Sequence, residues 1–206
     1  MKIICIGRNY ADHIRELDGG PLPAEPVFFL KPDTALLRNN APFYVPTFSN
    51  EVHYETELVV RINRVGKAVS EKYARRYYDE VGLGIDFTAR DLQRHAVANG
   101  LPWENSKGFD GSAAVSPVFL KLSDLGTDIQ RLRFEMSLNG EVKQSGDTAQ
   151  MIFGVVKLIS YVSRFMMLRI GDLLFTGTPA GVGPVKPGDH LQASLLGQTL
   201  LDFDIK

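Results

Sequence analysis

The chain has 206 residues, of which 44% are hydrophobic and 23% are charged, and its formal net charge is −1. These values are typical of a globular protein, and they exclude the strong positive charge that nucleic acids and anionic membranes attract. Cys5 is the only cysteine, which excludes an internal disulfide and a cysteine metal cluster. At this length we expect one domain, residues 1–206.

The distribution of apolar residues argues against a membrane protein. The apolar run at the N-terminus is too short for a signal peptide, and no run approaches the roughly 20 apolar residues of a membrane-spanning helix. A chain without disulfides suits a reducing compartment. We therefore expect a cytoplasmic protein with neither membrane nor nucleic-acid partners.

The first elements predicted along the chain are a strand and a short helix. Residues 2–6 form a buried apolar run, and Asn9 could cap a helix that places His13 and Glu16 three residues apart on one face. The Gly/Pro-rich stretch that begins at Asp18 and ends at Pro23 breaks the chain. Such a stretch beside a His/Glu pair suits a mobile lid, while the alternative is a surface helix with an incidental pair.

Strands outnumber helices in the rest of the chain. The predicted strands are residues 27–30, 55–63, 81–87, 114–120, 132–138, 141–144, 173–175, 190–195 and 199–205. The predicted helices are residues 70–78, 89–99 and 148–164. Asn139-Gly140 predicts a tight hairpin, and Gly82 and Gly84 suggest close backbone approach. Because strands and helices do not alternate regularly, the pattern predicts an α+β fold that is mainly β.

Two carboxylates stand out on the strand at residues 55–63. Its alternation predicts a half-buried strand. Glu55, Glu57, Val59 and Arg61 share one face, and the opposite, mostly apolar face holds Thr56, Leu58, Val60 and Ile62. Like charges this close repel each other unless a cation lies between them. Asp86, at the end of a later strand, would complete an oxygen-rich site suited to Mg²⁺ or Mn²⁺. The alternative is a solvated strand edge.

Other polar residues could serve such a site. His53 lies on the same strand face, but it precedes the regular strand and could equally be a surface residue. His13 and Glu16 could act as a base and the group that orients it. Lys107, in a loop with the only tryptophan, could stabilise an oxyanion, or it could be an ordinary solvated lysine.

Nine short pieces of this sequence match the pattern of a known family, nearly end to end and in the family's order. They are GRNYADH (7–13), FLKP (29–32), HYETE (53–57), DFTARD (86–91) with Gln93, GLPW (100–103), SKGFD (106–110), NG (139–140), MIF (151–153) and TGTPAGVG (176–183). The chain resembles the fumarylacetoacetate hydrolase family, in particular its short members related to acylpyruvase and oxaloacetate decarboxylase.

The resemblance implies a site and a fold. It implies Glu55, Glu57 and Asp86 as ligands of Mg²⁺ or Mn²⁺, with His13, Glu16 and Lys107 as catalytic residues. It implies Arg90, Gln93 and Thr178 as substrate-binding residues, on a compact β-roll of mixed sheets with flanking helices, usually a homodimer. Tyr54 departs from the pattern, since close relatives often have a histidine there, and no metal role is carried to His53.

The resemblance also implies an activity on a small 2-oxo acid. The expected reaction is metal-dependent cleavage of the C–C bond of an acylpyruvate by water, which yields a carboxylate and pyruvate. Oxaloacetate decarboxylation passes through the same pyruvate enolate and is a second expected activity. One alternative is isomerisation or decarboxylation of 2-hydroxyhepta-2,4-diene-1,7-dioate. Another is a non-catalytic metal-binding domain, whose mark would be a lost ligand or lysine.

Overall fold

A computed structural model describes residues 1–17 and 19–206, and strands dominate it. The strands are β1 (Ile3–Gly7), β2 (Val27–Lys31), β3 (Leu36–Leu37), β4 (Val52–Tyr54), β5 (Thr56–Ile62), β6 (Tyr78–Asp86), β7 (Thr88–Ala89), β8 (Ala113–Val115), β9 (Leu120–Lys121), β10 (Arg133–Leu138), β11 (Glu141–Asp147), β12 (Leu173–Phe175), β13 (Gly183–Pro184), β14 (His190–Leu195) and β15 (Gln198–Asp204). The helices are α1 (Ala11–Leu17), α2 (Glu71–Ala74), α3 (Arg90–Asn99), α4 (Glu104–Lys107) and α5 (Val155–Phe165).

The strands form three sheets. The largest has the order β2-β1-β12-β5-β6-β8-β3, with β9 also paired to β6. It is mixed, because β1 pairs with β12 and β3 with β8 in parallel while β5 pairs with both of its neighbours antiparallel. A second sheet has the order β11-β10-β14-β15, and a small third sheet has the order β13-β4-β7. The predicted α+β, mainly β architecture of mixed sheets with few helices is confirmed.

Strand β5 lies in the interior of the largest sheet. Leu58 and Val60 pack into the main hydrophobic core, while Val59, on the other face, packs into a second cluster that includes Cys5 and Phe175. The predicted alternation of faces is correct, but the half-buried strand is wrong, because both faces are covered. Glu55 and Glu57 therefore lie at the buried end of this strand and are not at a solvated edge.

The glycines of β6 allow close packing, as the sequence predicts. A Cβ added at Gly84 would lie 2.4 Å from the ring of Phe175. The β5–β6 register pairs Glu57 with Gly84, and the Asp86 backbone N–H donates to the Glu55 carbonyl at 2.8 Å. This register brings Asp86 beside the two glutamates.

Two predicted helices and one strand are shorter than the sequence indicates. Residues 148–164 divide into a 3₁₀ turn at Thr148–Gln150 and helix α5, separated by a stretch that includes Gly154. The helix predicted for residues 70–78 is α2 followed by a 3₁₀ turn, and the Ser70 side chain makes no capping hydrogen bond. The strand predicted for residues 114–120 is divided between β8 and β9.

Helix α1 is present, but Asn9 does not cap it. The Asn9 side-chain amide donates to the carbonyls of Phe153 and Thr176, and its oxygen accepts from the Phe153 N–H. Asn9 thus ties the start of α1 to two loops. Asp18, where the predicted chain break begins, lies outside the described residues. Among the helices of the described residues, none is long and apolar enough to cross a membrane.

Candidate active site

The three predicted carboxylates converge at one end of the β5–β6 pair. Glu55 immediately precedes β5, Glu57 is its second residue, and Asp86 ends β6. One ligand oxygen from each lies within 4.8 Å of the others, and all three side chains are buried. Three buried carboxylates at this spacing match the ligand chemistry of a hard divalent cation.

Three cations surround the carboxylates. Lys107 Nζ donates to Glu55 Oε2 at 2.7 Å, to Asp86 Oδ2 at 2.8 Å and to Thr88 Oγ1 at 2.6 Å. Arg90 donates to Glu55 Oε1 at 2.5 Å. Lys31 Nζ lies 2.6 Å from Asp86 Oδ1 and donates to the carbonyls of Phe87 and Ser112. Glu55 and Asp86 are thus compensated by buried cations.

Glu57 has a different environment from Glu55. Its Oε2 accepts the Gly177 N–H at 2.7 Å, but among the described residues no lysine or arginine forms an ion pair with it. Burial, reinforced by Asp86 and Glu55, raises the pKa of Glu57 well above its usual value. Burial also raises the pKa of Glu55, but Lys107 and Arg90 outweigh it and leave that pKa below its usual value. Glu57 is therefore the carboxylate that most lacks a positive partner.

These residues fit a bound divalent cation. Asp86 Oδ1 is buried and accepts no hydrogen bond among the described residues, because Lys31 approaches it outside hydrogen-bonding geometry. A buried glutamate without a cation is costly in a folded chain, and a buried oxygen without a hydrogen-bond donor adds to that cost, although the charge of Lys31 2.6 Å from Asp86 Oδ1 reduces it. A cation held by Glu55, Glu57 and Asp86 would satisfy both groups.

The predicted His13–Glu16 pair is formed on α1. His13 Nδ1 lies 3.3 Å from Glu16 Oε2, and the Gly181 N–H donates to both carboxylate oxygens of Glu16, at 3.0 and 3.2 Å. Burial lowers the pKa of His13, although Glu55 and Glu16 oppose the shift. His13 is therefore neutral at pH 7 and is held by a carboxylate that the glycine-rich loop anchors.

A cavity of about 170 Å³ joins these parts. Its polar lining includes every predicted site residue except Glu16, namely His13, Glu55, Glu57, Asp86, Arg90, Gln93, Lys107 and Thr178. Its apolar lining includes Phe29 and Trp103, whose rings meet edge to face at 5.7 Å. Glu16 reaches the cavity through His13. A cavity of this size suits a small molecule, since drug-sized pockets begin at about 300 Å³.

Arg90 and His53 have contacts that the sequence does not predict. Besides Glu55, Arg90 binds Gln93 Oε1 at 2.5 Å and His53 Nδ1 at 3.4 Å. The other ring nitrogen of His53 lies 2.9 Å from Glu51. His53 is thus directed to Glu51 and Arg90 and away from the carboxylate triad. Arg90 holds a predicted metal ligand, and its predicted contact with substrate stays a prediction.

Sequence reasoning missed Arg8, which lines the cavity, and two buried residues that contact site residues from outside it. Lys31 belongs to one of the matching pieces, FLKP, but its burial against Asp86 depends on the packing of β2. Gln144 lies on β11 in the second sheet, and its side chain contacts both Thr56 and Thr178. A polar residue in an apparently exposed hairpin gives no signal of such a contact.

Comparison with known sequences decides the family. Residues 2–205 match the family described as Fumarylacetoacetate (FAA) hydrolase C-terminal. The chain belongs to the fumarylacetoacetate hydrolase family. The resemblance inferred from the nine pieces is therefore confirmed over essentially the whole chain.

Similar members of this family are named for reactions of oxaloacetate or fumarylpyruvate. "Oxaloacetate tautomerase FAHD1, mitochondrial" of Bos taurus is 43% identical over 205 residues, which cover 100% of this chain and 91% of the relative. "Oxaloacetate decarboxylase, mitochondrial" of Dictyostelium discoideum is 43% identical, with 99% of this chain and 93% of the relative covered. Fumarylpyruvate hydrolase from Pseudomonas aeruginosa, solved in complex with Mn²⁺ and pyruvate, is 35% identical with a TM-score of 0.92, covering 100% of this chain and 89% of that one.

Proposed function

We propose that this protein interconverts the keto and enol forms of oxaloacetate at a site that holds Mg²⁺ or Mn²⁺. The observation that carries the proposal is a neutral, buried His13 in the wall of the cavity that also contains the carboxylate triad. A neutral imidazole beside a cation site can move a proton at the carbon next to a 2-oxo group.

The hydrogen bond to Glu16 fixes the tautomer of His13. A carboxylate only accepts hydrogen bonds, so Nδ1 must carry the proton that it shares with Glu16. Nε2 then has the free lone pair and is the basic nitrogen. Glu16 in turn is held by the Gly181 N–H, so the orientation of the ring depends on the glycine-rich loop.

The proton transfer can be derived from these residues. A divalent cation on the triad would supply Lewis-acid polarisation of the substrate's carboxylate and 2-oxo oxygens. His13 Nε2 takes a proton from C3 of the keto form, the electrons of the C3–H bond form the C2–C3 double bond, and the π electrons of the C2–O bond move onto the oxygen. The proton now on His13 Nε2 passes to that oxygen and completes the enol. The Lys107 ammonium offsets the negative charge that develops on that oxygen. The reverse order of steps returns the keto form.

The relatives support oxaloacetate as the substrate, since two of them are named for reactions of this acid. The small cavity also suits a four-carbon acid. The test is to follow enol-oxaloacetate by its ultraviolet absorbance, with and without Mn²⁺, against the spontaneous rate. We expect metal-dependent acceleration that His13→Asn removes. An unchanged rate in the wild-type protein with Mn²⁺ would overturn the proposal.

Acylpyruvate hydrolysis, which the sequence predicts first, is the second candidate. The observation that favours it is the carboxylate behind His13, because such a pair can deprotonate water. The water oxygen attacks C4, the C3–C4 bond breaks, and pyruvate leaves as an enolate that takes a proton at C3. The pyruvate complex of the Pseudomonas aeruginosa hydrolase supports this reaction class. Dienoate isomerisation and a homodimer stay predictions, the latter testable by light scattering.

Glu16→Gln separates acylpyruvate hydrolysis from oxaloacetate decarboxylation. Glutamine can still accept the Gly181 N–H, but it lacks the charge that stabilises a protonated His13. We expect pyruvate release from acetylpyruvate or fumarylpyruvate to fall by roughly 10²-fold or more. Oxaloacetate decarboxylation needs no attacking water and should fall much less. Equal losses in the two pyruvate-release assays would argue against a water-activating role for the pair.

A further inference from the structure

Gln144 connects two parts of the site although it lies in the second sheet. It is buried on β11, with 1% of its surface exposed. Its Oε1 accepts the Thr56 N–H at 2.9 Å, between the two glutamates of the triad. Its Nε2 donates to Thr178 Oγ1 at 2.8 Å and to the Pro179 carbonyl at 3.0 Å. One amide therefore ties β5 to the glycine-rich loop.

The orientation of this amide is determined by its partners. The Thr56 N–H can only donate, so it must face the oxygen of Gln144. The Pro179 carbonyl can only accept, so it must face the nitrogen. A flipped amide would place its N–H groups against the Thr56 N–H and its oxygen against the Pro179 carbonyl. Nε2 is therefore the atom beside Thr178.

This orientation determines how the Thr178 hydroxyl can act. Because Gln144 Nε2 is a donor, Thr178 Oγ1 must accept from it, and the hydroxyl proton must be donated elsewhere. Within the described chain, the acceptor in reach is the Pro179 carbonyl at 3.4 Å, a long contact that already receives Gln144. Thr178 lines the cavity, so its proton is available to a ligand oxygen.

The backbone geometry around Gln144 and Thr178 favours the contact between them. The β10–β11 register shifts between Met136 and Ser137, and such a bulge re-aims the side chains of its strand. A Cβ added at Gly181, whose φ is +96°, would lie 2.2 Å from the Lys143 carbonyl, so only glycine permits this approach. The loop that carries Thr178 is thereby seated directly on the bulged strand.

We propose that Gln144 is a positioning residue that makes the Thr178 hydroxyl a dedicated hydrogen-bond donor to an anionic oxygen of the bound 2-oxo acid. The inference rests on the proposed function and deepens it, because it states which ligand groups the cavity wall at Thr178 selects. A hydroxyl whose proton is kept free for the cavity favours a carboxylate or enolate oxygen there, because such an oxygen only accepts.

The test measures pyruvate binding to the Mn²⁺-loaded protein by calorimetry. In Gln144→Glu a carboxylate would attract the Thr178 proton, and in Gln144→Met the donor to Thr178 is absent. We expect the Kd for pyruvate to rise about tenfold in both, the loss of roughly one hydrogen bond to an anion. Gln130→Met is the matched control, because Gln130 also bridges two backbone groups, the Val155 N–H and the Thr148 carbonyl, outside the cavity. It should leave the Kd unchanged.

A double-mutant cycle with Thr178→Val distinguishes positioning from general structure. If Gln144 acts through Thr178, the Gln144 changes add nothing once Thr178 is valine. The affinity for Mn²⁺ should stay at the wild-type value in the uncharged variants Gln144→Met and Thr178→Val, and Gln144→Met carries the test if Gln144→Glu does not fold. Additive effects, wild-type pyruvate binding or a parallel loss of Mn²⁺ would each overturn the inference. A wild-type protein that binds neither Mn²⁺ nor pyruvate would overturn the proposed function as well.

Discussion

Glu57→Gln is expected to abolish the binding of Mn²⁺ and the metal-dependent turnover together. Glu57 is buried beside two other carboxylates and, among the described residues, has no cationic partner of its own. Its negative charge therefore gains most from a bound cation. Glutamine keeps the shape and can still accept the Gly177 N–H, so the loss reports the charge and not the packing. Mn²⁺ binding can be measured by calorimetry or by electron paramagnetic resonance.

Thermal unfolding provides a second measurement of the same prediction. At a Mn²⁺ concentration one hundred times its Kd, the wild-type protein should gain about 2.7 kcal/mol of unfolding free energy. Glu57→Gln should gain none, whereas its metal-free stability should equal or exceed that of the wild type, because glutamine removes a buried carboxyl that has no cationic partner among the described residues. Glu80→Gln is the control, since Glu80 pairs with Arg61 at the far end of β5–β6. Wild-type Mn²⁺ affinity in Glu57→Gln would contradict the metal assignment.

The sequence predicts the metal-binding carboxylates because two of them are close together on one strand. Alternation along one strand is enough to place Glu55 and Glu57 together. The chemistry of Asp86 and Lys107 makes them candidate partners, and the family resemblance implies the same roles for them. The proximity of Asp86 to that strand depends on the β5–β6 register, which the sequence suggests only through Gly82 and Gly84. The burial of the second face of β5 depends on β1 and β12, which are distant in the chain.

The failed predictions arise from tertiary contacts. Apolar residues at helical spacing continue before Gly154, yet the Gln130 side chain binds the Val155 N–H there and the helix begins only at Val155. Asn9 is a residue type that often caps helices, but its side-chain amide donates instead to backbone carbonyls of two loops. Gln144 gives no local signal, because its partners lie on another sheet and in a remote loop.

The charges of the site balance before any metal is considered. When ionised, Glu55, Glu57 and Asp86 carry three negative charges, and Lys31, Arg90 and Lys107 carry three positive charges within ion-pair distance of two of them. A divalent cation therefore enters a site that is nearly neutral overall. Any change that removes one of the three cations should strengthen metal binding, even where it harms turnover.

Lys107→Met is the sharpest test of this balance. Burial lowers the pKa of Lys107, but the charges of Asp86 and Glu55 outweigh burial and leave that pKa above its usual value. The ammonium is therefore charged at neutral pH. We expect Mn²⁺ to bind at least as tightly as in the wild type, while metal-saturated turnover falls by roughly 10²–10³-fold, since the charge that offsets the enolate is lost. The two changes in opposite directions distinguish Lys107→Met from Glu57→Gln, which loses both binding and turnover.

Lys31→Met is the matched control for Lys107→Met. Both lysines are buried against Asp86, but only Lys107 is among the residues that line the cavity in the described part of the chain. At saturating Mn²⁺ we expect Lys31→Met to lose less than about tenfold in turnover, because its contact is with a ligand and not with the substrate. Equal losses in the two variants would mean that Lys107 acts by holding Asp86 in place. A weaker affinity for Mn²⁺ in Lys107→Met would contradict the charge argument, because a site with one fewer positive charge should attract the cation more strongly.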